Sequence, residues 1–99
     1  MKYEVKFTSH FKKDYKLAQK RGRDVAALDK VIEMLAEGQT LPDEYHDHSL
    51  VGNYRGCREC HIEPDWLFIY KLFENVLVLE LSRTGTHSEE SPIYFTDNL

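Results

Sequence analysis

Five polar residues in the second half of the chain have the side chains that acid–base chemistry on a phosphodiester requires. They are His48, His61, Asp65, Arg83 and His87. Histidines exchange protons near neutral pH, and an arginine can hold a phosphate through two parallel hydrogen bonds. Metal-free cleavage of RNA needs a base for the 2′-hydroxyl, an acid for the 5′-oxygen and a cation beside the phosphorane. The five residues fit those roles.

Each of these residues also has a plainer structural interpretation. A loop histidine needs no function, and Asp65 beside Pro64 suits a turn. Arg83 could form a cross-strand pair with Glu59 or Glu80 instead of binding a phosphate.

The letters CRECH at positions 57–61 raise the question of haem or zinc. They match the pattern of a c-type haem attachment site, and a zinc site could use His46, His48 and one cysteine. On an extended strand, however, residues three apart point to opposite faces. Cys57 and Cys60 then cannot both bind the same metal ion or the same edge of a haem. We therefore expect no metal and no cofactor, with Cys60 in the core and Cys57 partly exposed.

Length and composition predict one folded domain over residues 1–99. The chain has 99 residues, 41% of them hydrophobic, which is typical of a globular domain. The N-terminus alternates charged and apolar residues and lacks the apolar block of a signal peptide. Nothing approaches the roughly 20 apolar residues of a membrane helix. These features predict a cytoplasmic protein with reduced thiols and no membrane contact.

Charge is distributed unevenly along the chain. Residues 1–37 carry nine Lys/Arg and six Asp/Glu, whereas residues 38–99 carry four and eleven, for a net charge of −4. A protein that binds free nucleic acid is usually basic overall, so contact with a phosphate backbone is expected only through a local patch. The alternative is a solvated helix face. The candidate patch consists of Lys12, Lys13, Lys16, Lys20, Arg21 and Arg23.

Hydrophobic periodicity predicts the element order β-α-α-β-β-β. Residues 3–7 alternate as a strand. Thr8 or Ser9 can cap a helix that ends at Gly22, and Asp24 can cap a second helix that ends at Gly38.

A polar loop over residues 39–53 separates the helices from the remaining strands. Three strands are predicted at Tyr54–Ile62, Trp66–Leu72 and Val76–Ser82, with short links typical of an antiparallel meander. Two helices packed on one face of such a sheet give an α+β fold.

Three segments carry a resemblance to a known family. They are KLAQKRGRD (16–24), DHSLVGNYRGCRECHIEPDWLFIYKL (47–72) and SRTGTHSE (82–89). In these segments the chain resembles YafQ-type toxins of the RelE/ParE superfamily of bacterial toxin–antitoxin modules, from about residue 3 to residue 89. The resemblance implies a small, mainly antiparallel sheet with two N-terminal helices. It also implies a ribosome-dependent endoribonuclease that cuts mRNA in the A site.

The resemblance also implies roles for individual residues. His87 is expected to be the general acid, Asp65 with His61 the base side, and His48 a residue that orients or shares the proton. Arg83 is expected to stabilise the phosphorane, and the basic patch to contact ribosomal RNA. Trp66 is expected beside the site, with a core position as the alternative.

The implied partners are the ribosome, mRNA and a cognate antitoxin. The antitoxin is expected to carry the DNA-binding domain, so that operator contact occurs only through it. The free toxin is expected to be a monomer and the toxin–antitoxin complex a heterotetramer.

Residues 88–99 form an atypical tail for the family. Glu89 and Glu90 follow His87, and aromatic residues return only at Tyr94 and Phe95. A weakened toxin that mainly binds antitoxin and regulates its operon is therefore the alternative function. A gyrase-directed relative is disfavoured, because it would not need the His-x-x-x-Asp and Arg-x-x-x-His patterns.

Overall fold

A five-stranded sheet and two helices make up the fold in the computed structural model, which describes residues 2–86. The strands follow the order β1-β5-β4-β3-β2 across the sheet. β1 is an edge strand and runs parallel to β5, and the other neighbours are antiparallel. The predicted α+β class is therefore confirmed. The elements are β1 (Glu4–Phe7), α1 (Ser9–Lys20), α2 (Val25–Ala36), β2 (His48–Ser49), β3 (Arg58–Glu63), β4 (Trp66–Phe73) and β5 (Val78–Thr86), with 3₁₀ turns at Asp43–Tyr45 and Gly52–Tyr54.

Local capping defines both helices. The Thr8 hydroxyl accepts a hydrogen bond from the Phe11 N–H at 2.9 Å, and the Asp24 carboxylate accepts one from the Ala27 N–H at 3.3 Å. These contacts satisfy backbone donors that a helix leaves unpaired at its start. Gly22 and Gly38 follow the two helices with φ values of +76° and +82°, which glycine adopts without steric cost.

The two helices cover one face of the sheet. Phe11 and Leu28 pack with Phe68, Leu79 and other buried residues of the sheet. Cys60 lies in this core, fully buried.

Cys57 belongs to a smaller apolar cluster with Tyr54, Leu67 and Ile69. Cys57, one residue before β3, and Cys60 within it therefore lie in different clusters, as predicted from residues three apart pointing to opposite faces.

Two strand predictions and one loop prediction need correction. β3 begins at Arg58 rather than Tyr54, because a 3₁₀ turn and Gly56, with φ +90°, interrupt the extended chain before it. β5 continues past Ser82 to Thr86, so Arg83 lies within a strand and not after one. The predicted loop over residues 39–53 contains the two-residue strand β2, which is too short to show an alternating pattern. Within residues 2–86, neither helix has the length and hydrophobicity of a membrane-spanning segment.

Candidate active site on the open face of the sheet

The candidate site lies on the sheet face opposite α1 and α2, called here the open face. Strand register places His48 beside Glu59, Glu59 beside Ile69, and Ile69 beside Arg83. Residues paired in this way point to the same side of a sheet. One row of side chains therefore crosses β2, β3, β4 and β5. His61 lies in the next row, beside Leu67.

His48 has both ring nitrogens engaged inside the protein. Its Nδ1 lies 2.8 Å from the backbone oxygen of His46, and its Nε2 lies 3.2 Å from Oε1 of Glu59. A carbonyl oxygen can only accept, so Nδ1 carries a proton. Glu59 was not among the predicted site residues. Its alternation with His61 on β3 placed it on the same face, but no sequence pattern showed that it would be buried.

Three imidazoles gather at this edge of the open face. The His61 ring centroid lies 5.5 Å from that of His46 and 6.5 Å from that of His48. His46 adopts a left-handed φ of +51°. Sequence reasoning placed His46 only in a zinc alternative, and its signal was the spacing of two from His48. We call His46, His48 and His61 the histidine cluster.

An open cleft of about 550 Å³ adjoins the histidine cluster. It mixes imidazoles with carboxylates, so it can exchange protons but also repels polyanions. Its lining residues are Glu44, His46, His61, Ile62, Glu63 and Pro64.

Asp47 anchors the segment that carries His46 and His48. Its carboxylate accepts hydrogen bonds from Arg58 Nε at 3.1 Å and from the Tyr70 hydroxyl at 2.6 Å, and Arg58 Nη2 lies 3.1 Å away. The bond to Asp47 raises the pKa of Arg58. Burial, and then the bond to Asp47, raises the pKa of Tyr70. The backbone between the two histidines is thereby fixed to β3 and β4.

Asp65 lies on the turn between β3 and β4 and has Arg23 as its charged neighbour. Arg23 Nη1 lies 3.6 Å from Asp65 Oδ1 and donates to Glu63 Oε1 at 3.2 Å. The guanidinium also lies 5.6 Å from the Trp66 ring centroid. Trp66 is 1% exposed and belongs to the core. Arg23 thus ties the α1–α2 connection to the β3–β4 turn.

Arg83 pairs with Asp14 of α1. Its Nε donates to Asp14 Oδ2 at 2.7 Å and its Nη2 to Oδ1 at 3.2 Å. The alternative pairing with Glu59 or Glu80 is wrong. The hydrogen bond to Asp14 raises the pKa of Arg83, which remains a cation in any case. Sequence reasoning missed Asp14 because it lies 69 positions from Arg83.

Arg83 also borders a second cleft on the open face, of about 300 Å³. Tyr54 and Cys57 line it from the smaller apolar cluster, and His10 lines it from the start of α1. Burial raises the pKa of the Cys57 thiol, so this cysteine is a weak nucleophile at neutral pH.

The structure brings together two of the predicted catalytic residues, His48 and His61. It places Asp65 against Arg23, and Arg83 at the far end of the row that starts at His48. His87 and the predicted tail, residues 88–99, lie outside the described residues. In the basic patch Arg23 is half-buried, whereas the others are exposed: Lys12, Lys13, Lys16, Lys20 and Arg21.

Two helices on one face of a mainly antiparallel sheet, with histidines on the other face, define a compact α+β protein. Residues 3–90 match the YafQ family, described as bacterial toxins of type II toxin–antitoxin systems. The mRNA interferase toxin YafQ of Escherichia coli K12 is 42% identical over 86 residues, which cover 86% of this chain and 91% of that protein. The chain therefore belongs to the YafQ family of type II toxin–antitoxin toxins.

Solved structures agree with this assignment. YafQ in the E. coli DinJ–YafQ complex superposes with a TM-score of 0.80 at 40% identity, covering 87% of this chain and 94% of that one. A metal-bound toxin from Helicobacter pylori gives a TM-score of 0.81 at 39% identity, covering 89% and 98%. Within residues 2–86 of the present chain, no group of three or more His, Cys, Asp and Glu side chains is arranged to hold a metal ion.

Proposed function

We propose that this YafQ-family toxin is a ribosome-dependent endoribonuclease that cleaves mRNA in the A site by acid–base catalysis without a metal. The observation that carries the proposal is the histidine cluster, in which His46 and His48 lie with ring centroids 5.5 and 6.5 Å from His61. Grouped imidazoles supply proton transfer at neutral pH. The E. coli relative is named an mRNA interferase.

The geometry supports a division of roles within the site. His61 lines the open cleft. Together with Asp65 it is proposed to remove the proton from the 2′-hydroxyl. His48 has both nitrogens occupied, which suits a residue that orients or shares a proton. His87 is proposed as the acid. Arg83 has five N–H donors and gives two of them to Asp14. Its guanidinium also has a hydrogen bond with Tyr54, so a phosphorane would use the donors that these contacts leave.

The partners follow from the surface and the family. The exposed lysines of α1, Lys12, Lys13 and Lys16, would contact ribosomal RNA, and the ribosome would supply the mRNA. A cognate antitoxin is proposed by analogy with the E. coli DinJ–YafQ complex. We expect a cytoplasmic, monomeric free toxin and a heterotetramer with antitoxin, which alone contacts operator DNA.

Cleavage of mRNA on programmed ribosomes tests the proposal. The purified toxin, dialysed against a chelator beforehand, is added to ribosomes with a defined A-site codon, and cuts are mapped by primer extension. His61→Ala and His87→Ala should each slow cleavage by about 10²–10⁴-fold, the usual contribution of an acid or base. Lys30→Ala is the control, because Lys30 is an exposed residue of α2, which packs on the sheet face opposite the histidine cluster.

Three outcomes would contradict parts of the proposal. Unchanged cleavage by both variants would exclude the assigned acid–base residues. Activity lost on chelation and restored by a transition metal would overturn metal independence. Cuts in free mRNA at the same rate would overturn ribosome dependence.

A second function, antitoxin binding with weakened catalysis, is favoured by one observation. Glu44 and Glu63 line the cleft beside His61, and carboxylates there repel the mRNA backbone. A protein that binds antitoxin tightly but cuts no mRNA on ribosomes would establish this alternative. Glu44→Gln with Glu63→Gln should then restore measurable cleavage.

A further inference from the structure

The Glu59 carboxylate is the most deeply buried acid of the open face. Its side chain is 1% exposed, and its neighbours across the strand pair include Ile69. Neither carboxylate oxygen accepts a well-aligned hydrogen bond from residues 2–86. The contact that remains is the ion pair with His48, whose Nε2 lies 3.2 Å from Oε1. An ionised carboxylate without donors is strongly disfavoured in a protein interior.

Counting protons on His48 shows what this contact requires. Nδ1 must carry a hydrogen, because it lies 2.8 Å from the His46 carbonyl oxygen, an acceptor. If the ring were neutral, Nε2 would then present a lone pair to Glu59. A lone pair facing a carboxylate oxygen at 3.2 Å is repulsive. A proton between Nε2 and Oε1 removes the repulsion and supplies the buried carboxylate with a partner.

We propose that Glu59 is a positioning residue that shares one proton with His48, so that the pair holds this proton at neutral pH. The pair is either an imidazolium with a carboxylate or a neutral imidazole with a carboxylic acid. In both forms the His48 ring is fixed at both nitrogens. His48 therefore cannot itself take the proton of a 2′-hydroxyl, and the base function falls to His61. This catalytic consequence rests on the proposed function, whereas the shared proton does not.

The other polar groups around the pair come from three directions. His61 lies on the same strand as Glu59, with its ring 6.5 Å from His48. His46 comes from the preceding loop, and Arg83 stands two strands from Glu59 in the same row. Between them β4 contributes the apolar side chains Leu67 and Ile69. Lys71 follows Ile69 on the same strand, close enough to Cys57 to offset part of the rise that burial causes in the pKa of its thiol.

The charged groups next to His48 on the helix-covered side of the sheet are paired with each other. Asp47 accepts hydrogen bonds from Arg58 and from the Tyr70 hydroxyl. The ion pair that the structure gives Glu59 within residues 2–86 is with His48.

Nuclear magnetic resonance of the free toxin tests the shared proton without any nuclease assay. The protein is labelled with ¹⁵N in histidine side chains and ¹³C in glutamate carboxyl groups, and His48→Gln and Glu59→Asp assign the signals. In the wild type at pH 7, we expect either two protonated nitrogens on His48 or a protonated Glu59 carboxyl. Glu59→Gln should convert His48 to the neutral Nδ1–H form, because the amide N–H₂ can donate to Nε2. A neutral His48 beside an ionised Glu59 would overturn the proposal.

Ribosome assays then test the positioning role. Glu59→Gln is nearly isosteric, and its fold is checked by near-ultraviolet circular dichroism. We expect kcat to fall by about tenfold or more with a changed pH profile, and Glu59→Asp to recover part of the loss. A Glu59→Gln protein with the wild-type kcat and pH profile would overturn the positioning role. If the wild type itself cuts no mRNA, the proposed function fails while the resonance result for the proton still stands.

Discussion

Asp14 of α1 holds Arg83 of β5 through two hydrogen bonds, from Nε to Oδ2 at 2.7 Å and from Nη2 to Oδ1 at 3.2 Å. The same Oδ2 accepts the backbone N–H of Thr84 at 3.1 Å. The pairing of β1 with β5 ends at Phe7 and Leu81. Beyond that point the Asp14 carboxylate, and not a strand, accepts a hydrogen bond from the edge of β5. One carboxylate therefore both completes the sheet edge and orients Arg83, the arginine that we propose binds the phosphate.

Replacement of Asp14 should destabilise the fold. Asp14→Ala leaves the Arg83 guanidinium and the Thr84 N–H without their carboxylate, and both residues of the ion pair have little exposed surface, 13% and 14% of their side chains. We expect the free energy of unfolding to fall by about 1–3 kcal/mol, typical of a lost hydrogen bond to a charged group. Urea unfolding measures this loss. Asp29→Ala is the control, because the hydrogen bonds that its carboxylate accepts from the Tyr15 hydroxyl lie at an exposed position, and an equal loss there would contradict the assignment.

The Asp47 anchor should matter for the histidine cluster as well as for stability. Tyr70→Phe removes the 2.6 Å hydrogen bond to Asp47 and should lower the free energy of unfolding by about 0.5–1.5 kcal/mol. Hydrogen exchange of the backbone amides at residues 46–49 should become faster, because the loop loses one of its attachments. Ser49→Ala, which removes an exposed partner of Arg58, is the matched control. Exchange that accelerates equally in both variants would show that Tyr70 is not a specific anchor.

Alkaline pH should unfold the protein through two buried acids. Burial, followed by the bond to Asp47, raises the pKa of Tyr70 above its ordinary 10.0, and burial raises the pKa of Cys60 above its ordinary 9.0. As pH increases, the unfolded chain loses these two protons first. Above about pH 9 the folded protein therefore binds more protons than the unfolded chain. Stability is therefore full below about pH 9 and falls above it. The urea midpoint between pH 8 and pH 11 measures the decline.

Two variants and one control distinguish the effect of this titration from a loss of stability that is independent of pH. Tyr70→Phe and Cys60→Ala should each show a shallower decline with pH, because each removes one of the titrating groups. Val31→Ala, in a fully buried position, should lower the midpoint equally at every pH. A Tyr70→Phe profile parallel to the wild type would exclude the phenol as the cause.

Local sequence signals were sufficient to predict the helices and the meander. The Thr8 and Asp24 caps, the glycines after each helix, and strand alternation all act within a few residues. The opposite placement of Cys57 and Cys60 followed from the same alternation. The short strand β2 was missed, because two residues, His48–Ser49, carry no periodic pattern.

Contacts between distant segments could not be predicted in this way. The Asp14–Arg83 pair joins residues 69 positions apart, and the polar sequence of β5 after Ser82 concealed that the strand continues. Glu59 could be assigned to the face of His61, but its burial could not be predicted, because it depends on the strands on either side, where His48 and Ile69 are its register partners. The positions of residues in the row that crosses the open face depend on strand register, which one strand alone cannot reveal.

The basic patch should separate into ribosome contacts and one structural residue. Lys16→Ala and Lys20→Ala remove exposed charges on α1. Each should weaken ribosome binding and reduce the slope of log K against log salt by about 1, with an unchanged free energy of unfolding. Arg23→Ala should instead lower that free energy by about 1 kcal/mol, chiefly through the lost contact with the Trp66 ring. Ribosome binding at several salt concentrations and urea unfolding, measured on the same three variants, distinguish the two groups. If Arg23→Ala changed the salt slope as much as Lys16→Ala and left stability intact, Arg23 would be an RNA contact and its link to Glu63 would be dispensable.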